Sequence, residues 1–89
     1  MENLKVKDVK VVTDLCLLVT FSNEDKRIFD ATYLLQYPVY KDLSNFSVFK
    51  NIQIQNGIIT WKNGKIDIDT QTLYDNSFEY EVDDIISAS

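Results

Sequence analysis

The chain has 89 residues, 45% of them hydrophobic and 26% charged, and a net charge of −5; this is a folding composition for one domain, with no apolar run long enough to span a bilayer. It holds no histidine and a single cysteine, Cys16, which excludes an internal disulfide, zinc sites built from Cys and His, and nucleophilic sites that rely on a histidine base. The seven acids and seven bases of residues 1–50 cancel, whereas residues 51–89 carry seven acids against Lys62 and Lys65, and no base follows Lys65.

Residues 4–12 read as a first strand. Val6 lies on one parity and Val9 and Val11 on the other, so a bulge or irregular start is expected at Lys7-Asp8. Leu15 to Phe21 is the strongest strand, with Leu15, Leu17, Val19 and Phe21 on one face and Cys16 and Leu18 on the other. That pattern predicts a central strand covered on both sides, with Cys16 as a buried small hydrophobe. Ser22-Asn23-Glu24-Asp25 is a turn, and Lys26 to Phe29 completes a three-strand meander. Asp30 caps a short helix over Ala31 to Gln36 that buries Leu34 and Leu35. Tyr37-Pro38 stops it, because the residue before a proline avoids the helical region. A second helical turn is expected with Ser44 as its cap and with Phe46 and Phe49 facing the same way.

The second half returns to strands. Ile52 and Ile54 alternate, Asn56-Gly57 and Asn63-Gly64 signal tight turns at positive φ, and residues 58–61 and 66–68 form the strands that follow. Both glycines of the chain are spent on these turns, so no glycine-rich phosphate loop exists. Asp69 caps a last helical turn, Thr70 to Asp75, which buries Leu73 and Tyr74. The expected fold class is α+β: a small antiparallel sheet (three-strand meander, short helix, then hairpin strands) with one or two short helices. Residues 1–76 make one domain, and residues 77–89 an acidic C-terminal extension. In that extension Phe78, Tyr80 and Val82 alternate with Glu79, Glu81 and Asp83, which is strand spacing with one apolar and one acidic edge.

These residues also carry a family resemblance. The run Leu17-Leu18-Val19-Thr20-Phe21-Ser22-Asn23, then Ile28-Phe29-Asp30 and Leu34-Leu35, is followed by Phe49, Trp61-Lys62-Asn63-Gly64, Ile66-Asp67-Ile68-Asp69 and Leu73-Tyr74. In order and spacing, over residues 4–76, they resemble a bacterial family catalogued as domain-of-unknown-function 2442. The resemblance implies an α+β fold with a small antiparallel sheet and no established activity. Members also look like halves of two-gene pairs, as toxin and antitoxin are, and some carry a helix-turn-helix domain for which this chain has no room. Where that family usually has glycine the chain has Glu24, and Asn23 is expected to take the left-handed conformation instead.

Four groups of residues are candidates for function. Asp67 and Asp69, two apart on a strand, could hold a hard cation with Asp30 or Asp75; the favoured reading is that Asp69 caps a helix and Asp67 bonds backbone groups or Asn63. Trp61 is read as a core or half-buried sheet residue beside Tyr74 rather than an interface anchor. Tyr33, Tyr37 and Tyr40, around Pro38, line either a shallow binding groove or a loop packed down by its own aromatics. Lys5, Lys7 and Lys10 are read as the solvated face of an edge strand.

The functional expectation is a protein-interaction module, antitoxin-like, with no catalytic residue, no metal and no cofactor. The expected partner-binding residues are Phe78, Glu79, Tyr80, Glu81, Val82, Asp83 and Asp84, facing a protein with a basic surface. The alternatives are a nucleic-acid-binding regulator, which the charge balance disfavours, and a metal-dependent enzyme using Asp67, Asp69 and Asp30. Exposed edge strands permit a homodimer. The N-terminus Met1-Glu2-Asn3-Leu4-Lys5 lacks the apolar run of a signal peptide, and the expected location is the cytoplasm, away from any membrane.

Overall fold

The computed structural model describes residues 4–79. Their strands are β1 (Val6–Thr13), β2 (Cys16–Phe21), β3 (Lys26–Asp30), β4 (Gln53–Gln55), β5 (Ile58–Trp61), β6 (Ile66–Ile68) and β7 (Phe78–Glu79). Two short α-helices, α1 (Phe46–Phe49) and α2 (Thr70–Asp75), and two 3-10 segments, Ala31–Gln36 and Pro38–Ser44, complete the described chain. The fold is α+β, as the alternating patterns predict, but the strands divide into two antiparallel sheets. One has the order β1-β2-β3-β7 and the other β4-β5-β6.

Strand β2 lies between β1 and β3, pairing Leu17 with both Val11 and Phe29. Leu17, Val19 and Phe21 are fully buried, which places the core on that face. Cys16 and Leu18 are only half-buried, so the opposite face is partly open rather than covered, and Cys16 is not a core residue. Leu15 does not belong to the strand. It turns the β1–β2 hairpin at φ 58, a left-handed position that a leucine seldom takes. The expected irregularity between Val6 and Asp8 is present, and a second lies between Val11 and Thr13.

Local chemistry explains most of the remaining boundaries. The Asp30 carboxylate accepts from the Thr32 amide at 2.9 Å and starts the first 3-10 segment. Tyr37 ends it in extended geometry before Pro38. The cap of α1 is Asn45, whose side-chain oxygen accepts from the Ser47 amide at 3.0 Å, and not Ser44, which closes the preceding 3-10 segment. Phe46 and Phe49 diverge as well: Phe49 is fully buried and Phe46 is 45% exposed. A helix of one turn seats a single side chain inward. In the β2–β3 turn Glu24 itself stands at φ 71, while Asn23 holds the turn by accepting from the Asp25 amide at 3.0 Å.

The two sheets meet at Gly57. Its carbonyl accepts from the Val6 amide of β1 at 2.8 Å and from the Thr70 hydroxyl of α2 at 3.2 Å. At φ +80, a Cβ on this residue would stand 2.7 Å from the Lys5 Cβ, so the close approach needs glycine. Beneath the second sheet Trp61 is fully buried and stacks on Phe49 at a centroid distance of 6.0 Å. Its indole N–H donates to the Phe49 carbonyl at 3.0 Å. Trp61 is therefore a core residue, as expected, but its neighbour is Phe49; Tyr74 packs edge-on against Phe21 at 4.9 Å. Among the described residues no helix is long and apolar enough to cross a membrane.

Candidate functional site

The first candidate surface begins at β7. This two-residue strand extends the larger sheet, with Phe78 opposite Ile28 and Glu79 opposite Arg27. Phe78 is 69% exposed, far beyond what a phenylalanine usually shows to water, and Glu79 is exposed beside it. What holds β7 there is Arg27. Its guanidinium lies 3.9 Å above the Tyr74 ring, an arrangement in which the ring face attracts the cation. Its Nη1 donates to the Ser77 carbonyl at 3.3 Å, and its Nε is 3.5 Å from an Asp25 carboxylate oxygen. The Tyr74 hydroxyl donates to the same carboxylate, and the Ser77 hydroxyl donates to the Tyr74 carbonyl at 2.8 Å. The residue before Phe78 is thus tied to the body of the protein while the Phe78 ring is left outside. The other expected partner-binding residues, Tyr80, Glu81, Val82, Asp83 and Asp84, lie outside the described residues.

The second candidate is the tyrosine groove. The 3-10 segments on either side of the extended Tyr37 bring Tyr33, Tyr37 and Tyr40 to one cavity of about 440 Å³, with Ile68, Asp69 and Thr72 on its other side. The cluster divides between packed and exposed tyrosines. Tyr33 and Tyr40 are half-buried, Tyr33 packing edge-on against Phe29 at 5.8 Å. Tyr37 and Val39 stand at the mouth, 47% and 61% exposed. The Tyr40 hydroxyl donates to the Asp67 carbonyl at 2.9 Å, whereas the Tyr33 hydroxyl is buried with no partner among the described residues. Burial pushes the Tyr33 phenol above the ordinary tyrosine value, with Tyr37 adding to it. Tyr40 is raised by burial, then by Asp67 and Tyr33. The sequence signalled the tyrosines but not their opposite wall, because Ile68, Asp69 and Thr72 arrive from a distant part of the chain.

Asp30 and Asp69 cap as expected, whereas Asp67 contributes its main-chain carbonyl, to Tyr40, rather than its carboxylate. Asp69 caps α2 by accepting from the Thr72 amide at 3.1 Å. Asp75 accepts from the Gln71 amide group at 3.0 Å, and Asp67 is engaged through its main-chain carbonyl. Among the described residues no three His, Cys, Asp or Glu side chains gather as a metal-ligand set. Lys5, Lys7 and Lys10 are exposed on or just before β1, which is an edge strand. Lys7 pairs with Glu24 at 2.7 Å and Lys62 with Asp42 at 2.9 Å. These pairs hold both carboxyls below the usual carboxylate range, and they compete with any phosphate for the same ammonium groups. Burial, then Asp30, pushes the Cys16 thiol up, which disfavours the reactive thiolate.

Comparison with known proteins adds one match. The model of a family described as Protein of unknown function (DUF2442) matches residues 6–79, and the chain belongs to that family. No curated protein and no solved structure matches it.

Proposed function

We propose that this DUF2442 chain is a protein-interaction module, the antitoxin-like half of a two-gene pair, and that it performs no catalysis. It binds a basic surface of its partner through Phe78, Glu79, Tyr80, Glu81, Val82, Asp83 and Asp84. The observation that supports this reading is the outward placement of Phe78, 69% exposed at the sheet edge where the base-free, acid-rich end of the sequence begins. An exposed aromatic beside carboxylates is the composition of an interface anchor with a charged rim. The acids steer a basic partner in and the apolar side chains hold it. Occlusion of that basic surface is the proposed effect on the partner.

The test is co-expression with the product of the neighbouring gene, followed by calorimetric titration of the purified pair. Removing residues 80–89 while keeping β7, or replacing Phe78→Ala, is expected to weaken binding by about tenfold or more, the scale of losing an interface anchor. Unchanged affinity in both variants would refute the assignment of the interface. Failure of the two products to associate would refute the pairing itself.

A further inference from the structure

We infer that the outer face of the larger sheet is a docking surface for a second copy of this chain. Strand register lays that face out in rows. Lys10, Leu18, Ile28 and Phe78 are successive cross-strand partners and form one row across all four strands. Asp8, Thr20 and Lys26 make the row on one side of it, and Cys16 and Asp30 the row on the other. Paired residues share a face, and this one lies opposite the buried Leu17, Val19 and Phe29. Neither Leu18 nor Ile28 is among the half-buried hydrophobics packed against the core, and Phe78 is 69% exposed. An antiparallel sheet with one face in the core ordinarily turns polar side chains outward. A leucine, an isoleucine and a phenylalanine in line there mark an interaction surface.

The middle row selects the occupant, because it is complementary to itself. A two-fold axis parallel to the strands, between β2 and β3, lays the row on its own reverse. Leu18 then meets Ile28 of the other copy, and Lys10 meets the Phe78 ring, whose face attracts a cation. Among the described residues Lys10 pairs with no carboxylate, so its ammonium group is available for that contact. The charges of the face cancel, Lys10 and Lys26 against Asp8 and Asp30, although the chain as a whole carries −5. A basic partner therefore has no net charge to complement here, whereas a second copy meets no net repulsion. Four strands at about 4.8 Å and three rows at about 6.8 Å span roughly 20 × 20 Å, so two copies bury roughly 800 Å² between them. Stable complexes bury about 1,200 Å² or more, so this dimer is weak, with a dissociation constant on the order of 10⁻⁴ M.

The experiment is sedimentation equilibrium of the full chain from about 0.01 to 1 mM, a range that brackets that constant. A monomer–dimer equilibrium is expected, and added salt should leave it unchanged or strengthen it, because screening relieves the repulsion between two acidic chains. Isotope-filtered NMR of a mixed labelled and unlabelled sample should show contacts between Leu18 of one copy and Ile28 of the other. Leu18→Thr combined with Ile28→Thr keeps strand-forming side chains and should weaken association about tenfold or more, through lost apolar burial. Lys10→Glu, an exposed position, should weaken it about fivefold without disturbing the fold, which keeps the test valid if the double variant unfolds. A monomer throughout the range, or full association of both variants, would overturn the proposal. So would cross-copy contacts centred on the edge of β1 or β4, or contacts of Leu18 and Ile28 with residues 80–89 of the same copy. Leu18, Ile28 and Lys10 are outside the residues assigned to the neighbouring gene's product, and Phe78, common to both surfaces, is left unsubstituted. Failure here and failure of the partner reading are thus distinguishable.

Discussion

At Gly57 one carbonyl receives hydrogen bonds from both β1 and α2, and the residue has no room for a side chain beside Lys5. Gly57→Ala combines a left-handed φ with a contact against a Cβ rather than a flexible side-chain end. We expect a loss of stability of about 2 kcal/mol or more, measured by urea unfolding at constant m-value. The opposite sign is expected at Glu24, which holds φ 71 without being glycine. Glu24→Gly relieves the left-handed backbone and gives up only an ion pair with Lys7 in which both side chains are more than half exposed. Exposed pairs contribute little, so the thermal midpoint should rise. A fall would mean that the pair, or the added freedom of glycine in the unfolded chain, outweighs the strain.

The boundaries of the elements depend on side-chain caps, and the sequence carries them unevenly. Asp30, Asp69 and the two Asn-Gly turns were legible because each places a polar acceptor or a residue tolerant of positive φ where the backbone needs it, although Lys62 also takes a left-handed φ of 54 in the second turn. Ser44 and Asn45 were not distinguishable in this way: both residue types cap helices, and the choice falls to Asn45 because the 3-10 segment runs through Ser44. The exposure of Phe46 was equally hidden, since spacing of three implies a shared face only in a helix long enough to have one. The contact that joins the two sheets, Val6 to Gly57, is long-range, and no local pattern announces it. The Asp30 cap also has a pH signature. The Thr32 bonds lower its pKa, so the folded chain releases this proton more readily than the unfolded chain does. Its contribution is complete above the ordinary aspartate range near 4 and is lost as pH falls through the lower folded-state value. Asp30→Asn keeps an acceptor for Thr32 and cannot titrate. Its stability is therefore expected to fall less steeply with pH below about 4 than that of the unsubstituted chain, followed by acid titration of the unfolding midpoint.

For the whole molecule, the decisive property is the segregation of charge from residue 51 onward, which sets seven acids against two bases. Three of the bases are engaged: Lys7 and Arg27 in the first half and Lys62 in the second each face a carboxylate. The excess of acids disfavours a polyanion, and a basic protein is the complement we propose for it. Sequence patterning identified the alternating Phe78–Glu79 stretch, but not what positions it. The Arg27 guanidinium over Tyr74 joins residues from β3 and α2, a contact set by tertiary packing alone. The groove was half legible for the same reason, its tyrosines adjacent in sequence and its far wall remote. The interaction reading is tested most directly by the dissociation constant for the neighbouring gene's product when Glu79, Glu81, Asp83 and Asp84 are all replaced by lysine. At about 0.1 M salt the reversed chain is expected to bind at least ten- to a hundredfold more weakly than the natural one, with the difference shrinking as salt is raised. Equal affinity of the two chains at low salt would contradict the account.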